Sequence, residues 1–360
     1  MSGGDERHQP VSSRAQPNAA AAASGAAQPP PVIGTDRLAY VDVMRTVAVL
    51  RVVINHALPW PWLKWFESLP VMFFVSGTLV GRSLRTRSVW AVFKGRFSRL
   101  AAPTALYYVF NVAMTLTGAL PDTDQHLWYI WTFLTFVAMS GVFRWLIRWS
   151  PVGTLAIQAA ALIALTLVHQ DEASVGMAYQ MAWVAGMIWA DRDCVVPSRR
   201  FLVTTTIAGF AAAIVAVAYW FGLGSTITPS SPGEVISPSS LGISMAGLGA
   251  AWLAMGMMLR GPLEASMHVR GLGAFIRYLN KRLLTVYLWH LPATIAARQW
   301  ALDLDLDRYW SVVFVLGVTL VLTGLATVLF GGLEDRASKT SKRVKQRAEE
   351  AADGQPAAGS

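Results

Sequence analysis

Only one cysteine, Cys194, occurs in 360 residues, so the chain can form neither an internal disulfide nor a thiolate metal cluster. With no histidine near it in sequence, the thiol reads as a small buried apolar group. Charge is scarce as well: 14% of residues are Asp, Glu, Lys or Arg, against about 25% in soluble proteins. No Gly-rich loop precedes a lysine, which removes the phosphate cradle that ATP chemistry needs. No His-Glu-x-x-His and no carboxylate cluster stands at ligand spacing, so no metal and no bound cofactor are expected. The stretch "AAAAASGAA" lacks a Leu-rich core and runs into prolines, so it is not read as a signal peptide.

What the chain has in abundance is apolar surface, with 54% of residues in the set AVILMFWYC before its 29 glycines are counted. Residues 1–35 are Ala, Pro, Gln, Ser and Gly with scattered charges, too poor in large apolar groups to offset the entropy of folding. From residue 37 onward, apolar runs of about 15 to 25 residues recur, the length that crosses a hydrocarbon core of about 30 Å. They predict spans at 38–59, 68–83, 99–120, 127–144, 152–169, 173–190, 201–222, 240–259, 281–298 and 309–332. The expected fold is therefore all-α, a polytopic transmembrane bundle of about ten helices. The second span is short, and the ninth is interrupted by His290 and Pro292. Residues 36–332 form the membrane domain, between a disordered N-terminal segment (1–35) and a charged, partly disordered tail (333–360).

Loop charge orients the bundle. Alternate breaks hold "GRSLRTRSVWAVFKGRFSR", Arg144 with Arg148, "DRDCVVPSRR", "RGPLEASMHVRGLGAFIRYLNKR" and "RASKTSKRVKQR", whereas the intervening ones hold Lys64 with Glu67, "PDTDQ", "HQDEA", a neutral Ser/Pro stretch with Glu234, and "RQWALDLDLDR". The positive-inside rule then puts both termini in the cytoplasm. The net charge of +9 is accounted for by orientation, and no nucleic-acid motif competes with it.

Ionisable groups inside the spans are the candidates for chemistry, because each is costly in lipid. The first span, "VDVMRTVAVLRVVINHALPW", carries Asp42, Arg45, Arg51 and His56. At 100° per residue, Arg45 and His56 return to within about 20° of one face, about 16 Å apart along the axis. Asp42 lies three residues before Arg45 and can pair with it. Arg51 is displaced round the helix and needs another partner or a wet surface. Arg45 can also be read as a snorkelling residue held by Asp42, and His56 as an interfacial group beside "PWPW". In "LPVMFFVSGTLVG", Ser76 and Gly77 favour close helix packing over a nucleophilic serine. Lys94, Arg96 and Arg99 in the next basic segment can serve topology alone. "QHLWYIW" sets His126 and Trp128 at the depth of His56. "YLNKRLLTVYLWHLPATI" places His290 midway through the ninth span, where it needs a partner.

Together these stretches resemble the acyltransferase-3 family of integral membrane acyltransferases. That family carries Asp-x-x-Arg followed by His in the first helix (Asp42, Arg45 and His56 here), FF-x-x-SG in the second, Arg-x-x-Arg with a following Pro, a His-Leu-Trp, and a late Tyr-Leu-x-His (Tyr287 to His290). Two departures stand out: Thr46 occupies the position usually held by Gly, and Met72 the position of the first Phe. Arg51 is outside the pattern.

The resemblance implies transfer of an acyl group, usually acetyl, from acyl-CoA as co-substrate to a hydroxyl on a glycan, lipid-linked sugar or hydrophobic small molecule. It implies a multi-pass protein of a bacterial plasma membrane, in contact with membrane lipid. A neutral imidazole suits removal of the hydroxyl proton, which assigns the base to His56, with His126 second. Arg96 and Arg99, with Lys94, suit the phosphates of the donor. Arg45, paired with Asp42, suits the thioester carbonyl or the pantetheine amides. Ser76, Trp128, Tyr287 and His290 are expected to support the site. A transporter or flippase of an amphipathic substrate is the competing reading.

Overall fold

A computed structural model of the protein describes residues 38–58, 60–168, 170–222 and 241–334. The segment 1–35, expected to be disordered, and residues 335–360 of the tail 333–360, expected to be partly disordered, lie outside the described residues. Among those described, the secondary structure is all helical. It comprises α1 (Ala39–Ala57), α2 (Leu69–Leu84), α3 (Val89–Leu116), α4 (Trp128–Trp149), α5 (Pro151–Leu167), α6 (Asp171–Asp191), α7 (Arg199–Gly222), α8 (Gly242–Met258), α9 (Arg260–Ser266), α10 (Leu272–Lys281), α11 (Leu283–Asp303) and α12 (Arg308–Phe330). Short 3-10 turns at Pro61–Trp65 and Asp124–Leu127 lead into α2 and α4.

Each of the ten expected apolar stretches holds one helix, α1 to α8 with α11 and α12. Four segments are long and apolar enough to cross a membrane unaided: Pro61–Leu84, Trp128–Trp149, Arg199–Tyr219 and Arg308–Glu334. A fifth follows if α8 and α9, bent by 68° at Leu259, count as one. The others fall short on length or mean hydropathy or carry too many charges, as α1 does with Asp42, Arg45 and Arg51. Pro262, just past the bend, has no N–H to continue the ladder of α8.

Two local differences from the sequence reading follow from turn and cap chemistry. The basic stretch expected as a loop after α2 is the first part of α3, begun by Ser88, whose side chain accepts from the Ala91 N–H at 3.3 Å. With 28 residues, α3 is about 42 Å long, so it can carry Lys94, Arg96 and Arg99 beyond a hydrocarbon core of about 30 Å. Pro292 does not end α11, which runs unbroken through it.

The core is built round α2 and α6, whose backbones touch. A Cβ on Gly77 would stand 2.2 Å from the Trp183 carbonyl oxygen, and one on Gly186 would stand 2.1 Å from that of Phe74. Only glycine permits this approach, and it matches the close packing expected for Gly77. Around the contact, Phe73, Phe136, Tyr179 and Trp183 bury their rings against one another. On the other side, α1 packs against α2, α9, α10 and α11, with Leu253, Ala254 and Met257 of α8 in the same apolar cluster. This arrangement turns Arg45, Arg51 and His56 towards protein.

Candidate active site

Three histidines converge from separate elements. The His56 ring, at the end of α1, lies 5.1 Å from that of His290 on α11, and His126, in the turn before α4, lies 5.9 Å from His290. His290 is 1% exposed, and its Nδ1 stands 2.6 Å from the Tyr287 carbonyl. A carbonyl only accepts, so Nδ1 carries the proton and Nε2 the lone pair. That Nε2 is buried and makes no hydrogen bond. His126 likewise places Nδ1 on the Thr123 carbonyl. Its ring also faces the Leu288 carbonyl, the one that Pro292 deprives of an N–H partner four residues on. The proline read as an interruption thus opens a backbone acceptor beside a histidine.

A polar network fixes the turn that carries His126. The Tyr107 hydroxyl lies 2.5 Å from Thr123 Oγ1, and Thr123 donates through Oγ1 and backbone N–H to Asn111 Oδ1 at 2.6 and 3.0 Å. Asn111 Nδ2 donates in turn to Asp122 at 2.7 Å, and this bond is the main reason the Asp122 carboxyl titrates below its ordinary range. Tyr287 closes the cluster, its hydroxyl donating to the His126 carbonyl. Tyr107 and Asn111 were not signalled by the sequence, since each sits among apolar neighbours with no motif around it; Tyr129 directly follows the His-Leu-Trp stretch and was passed over beside it.

The cluster stands between two cavities. On one side lies a space of about 230 Å³ lined by Arg51, Asn55, His56, Lys64, Glu67 and Tyr179 among others. Here Arg51 finds its partners: Nη2 donates to the Leu63 carbonyl at 2.6 Å and lies 3.5 Å from Glu67 Oε1. Trp128 is exposed at this level and stacks on Tyr179, with centroids 5.5 Å apart. On the other side, Arg45 lines a cavity of about 80 Å³ with Met72, Ser76, Tyr129 and Tyr287. Tyr287 links this space to the histidines, its ring 5.3 Å from His126 and 5.9 Å from His290.

Arg45 is also within electrostatic range of Arg96. Arg96 lines a further cavity of about 210 Å³ together with Arg87, Arg99 and Ser83. Arg96 and Arg99 are three residues apart on α3 and share a face. Lys94 is exposed and is not among the residues lining this cavity, whereas Arg87, in the turn before α3, is.

The departures from the family pattern have local explanations. Thr46 Oγ1 donates to the Asp42 carbonyl at 2.9 Å and accepts from Asn280 Nδ2 at 2.7 Å, tying α10 to α1. Met72 is a wall of the Arg45 cavity. Asp42 is half-buried, one turn below Arg45.

Compared with known proteins, residues 38–328 match the family model described as an acyltransferase domain, of the acyltransferase-3 type. No curated protein and no solved structure gives a significant match.

Proposed function

The chain belongs to the acyltransferase-3 family and is a membrane acyltransferase; from that premise we propose that it moves an acyl group, in the simplest case acetyl, from acyl-CoA to a hydroxyl of a glycan, lipid-linked sugar or hydrophobic small molecule. The observation that carries this reading is the placement of His56. It joins the histidine cluster and also lines the polar cavity of about 230 Å³, while His126 and His290 are buried behind it.

In the proposed topology ten helices cross the plasma membrane with both termini cytoplasmic, as the alternation of basic and neutral breaks requires. The donor then enters from the cytoplasmic side. Its phosphates meet Arg87, Arg96 and Arg99, whose forks suit them. Its pantetheine arm runs past Arg45, Ser76 and Tyr129 towards Tyr287.

Helix α1 is unbroken between Arg45 and His56, so about 16 Å of axial rise separates them. Side chains of their length do not close on one carbon across that gap. Arg45 therefore serves the arm of the donor, not the thioester carbonyl, and Asp42 holds Arg45. His56 takes the proton of the acceptor hydroxyl as its oxygen attacks the thioester carbon. The new C–O bond forms, the C–S bond breaks, and the thiolate leaves as CoA after recovering the proton from the imidazolium. The positive charge on His56 stands beside the oxyanion while it exists. His290, whose ring lies 5.1 Å from that of His56, positions it.

Purified protein supplied with acetyl-CoA and extracted membrane glycolipid should release free CoA with a matching gain of acetyl mass on the acceptor. A transporter would leave the thioester intact. His56→Ala should lower turnover about 10²–10⁴-fold, the usual worth of a placed general base. His56→Gln, polar but unable to take a proton at neutral pH, should be equally impaired. Near-normal turnover in His56→Gln would move the base to His126.

A further inference from the structure

The polar cavity beside His56 does not end at Glu67. That carboxylate, 2% exposed, also lines a second cavity of about 180 Å³ walled by Met44, Val47, Ala48, Val71, Trp252 and Gly256 among others. The two spaces follow one another along the same pair of helices. On α1 the polar cavity takes Arg51, Val52, Asn55 and His56, and the apolar one Met44, Val47 and Ala48. On α8 the polar cavity takes Met245, and the apolar one Trp252, Met255 and Gly256. Together they make a slot, charged at the His56 end and hydrocarbon at the other, about 18 Å long from His56 to Met44 by the rise of α1 alone.

Two features point to an occupant. Ser68, 2% exposed, lines the apolar cavity beside Glu67 with its Oγ unbonded, and a buried hydroxyl without a partner is costly unless something fills the role. At the far end Val47 and Leu259 are exposed, so a chain can enter sideways. Free hydrocarbon would not need the ion pair at the other end, and a free sugar would not need the apolar one.

We propose that the acceptor is amphipathic: a hydroxylated headgroup seated among Asn55, His56, Lys64 and Glu67, a polar linkage at Ser68 Oγ, and a hydrocarbon chain running down the α1/α8 slot to Met44. This deepens the acyltransferase reading and rests on it for the role of His56. Any chain long enough to reach Met44 anchors the substrate while leaving its hydroxyl at the histidines.

The test uses the full chain in amphipol and three probes: dodecyl glucoside, methyl glucoside and dodecanol. Calorimetric titration should find dodecyl glucoside binding at least 30-fold more tightly than either partial probe. Dodecyl glucoside carrying a diazirine at its chain end should label peptides containing Met44, Trp252 or Met255. Val47→Trp, at the exposed mouth, should weaken dodecyl glucoside about tenfold or more and leave methyl glucoside unchanged. Gly256→Phe, whose first added carbon would already stand 2.7 Å from Met44 Cε, should act the same way from inside, so the result does not hang on one variant folding.

Dodecanol binding as tightly as dodecyl glucoside overturns the proposal, as does labelling confined to other helices or equal losses for both glucosides. Acetyl transfer to the glucoside is measured separately. Its failure with correct labelling sinks the role of His56 and spares the slot; transfer with labelling elsewhere does the reverse.

Discussion

At the scale of single residues, the costliest feature is the Arg51–Glu67 pair, and it is also the one that the sequence left without a role. Both side chains are buried, 3.5 Å apart, and the Leu63 carbonyl takes a second hydrogen bond from the guanidinium. The pair folds the Pro61–Trp65 turn back against α1, which sets Lys64 and Glu67 beside His56. Removing one partner strands the other charge. Glu67→Gln or Arg51→Met alone should therefore cost about 3–5 kcal/mol, while the double change Arg51→Met with Glu67→Leu should cost far less, since apolar replacements of a buried pair are often neutral. Denaturant titration of the purified protein reads both. Single variants no worse than the double would mean that the pair is solvated and not a structural clamp. Glu67 stands 16 positions from Arg51 in sequence, and nothing in the local pattern announces that contact.

At the scale of elements, the helices were legible because lipid forces long apolar runs to satisfy their own backbones, and the ten stretches read from hydropathy each contain a helix. Boundaries were less legible where charge and cap disagreed. The start of α3 was read as a loop because Lys94, Arg96 and Arg99 dominate its composition, yet Ser88 caps it and Gly95 alone, at about 1 kcal/mol, opposes a helix before Pro103. Motif residues on one helix, such as Asp42, Arg45 and His56, could be placed on a common stripe from spacing alone. The meeting of His56 with His290 and His126 could not, because it depends on which helices are neighbours. Small residues decide that. Gly77 and Gly186 let α2 and α6 touch, and α2 in turn carries Met72 and Ser76 into the Arg45 cavity. Gly77→Val would drive a side chain into the Trp183 backbone, beyond the about 1–3 kcal/mol usual for overpacking, because backbone cannot step aside. The expected result is loss of folded protein from the membrane fraction, with Gly95→Val, where a Cβ meets nothing within 4 Å, inserting normally. Equal recovery of both variants would show that α2 and α6 tolerate separation.

At the scale of the whole molecule, the polar groups form a line and not a single centre: an arginine cavity at the start of α3, then Arg45, then Tyr287 with the histidines, then the Arg51–Glu67 cavity. The reaction proposed above, between a charged cytoplasmic thioester and a membrane-held hydroxyl, would use such a line, since neither substrate would have to cross the full bilayer. The arginine end of it is separable by kinetics. If Arg96 and Arg99 grip donor phosphates, their contacts are present in ground and transition states alike, so Arg96→Gln with Arg99→Gln should raise the KM for acetyl-CoA at least tenfold while kcat falls less. Each lost charge-assisted hydrogen bond is worth about 1.5–3 kcal/mol, which sets that lower bound. Raising ionic strength should raise the wild-type KM and move the double variant less, because screening acts on the charges already removed. Arg87→Gln should act in the same direction, as Arg87 lines the same cavity. Lys94 supplies the contrast: it carries the same charge on the same helix but lies outside the lining. If Lys94→Gln moved KM as far as Arg96→Gln does, the effect would belong to the general positive charge at this end of α3, and the phosphate site would be lost.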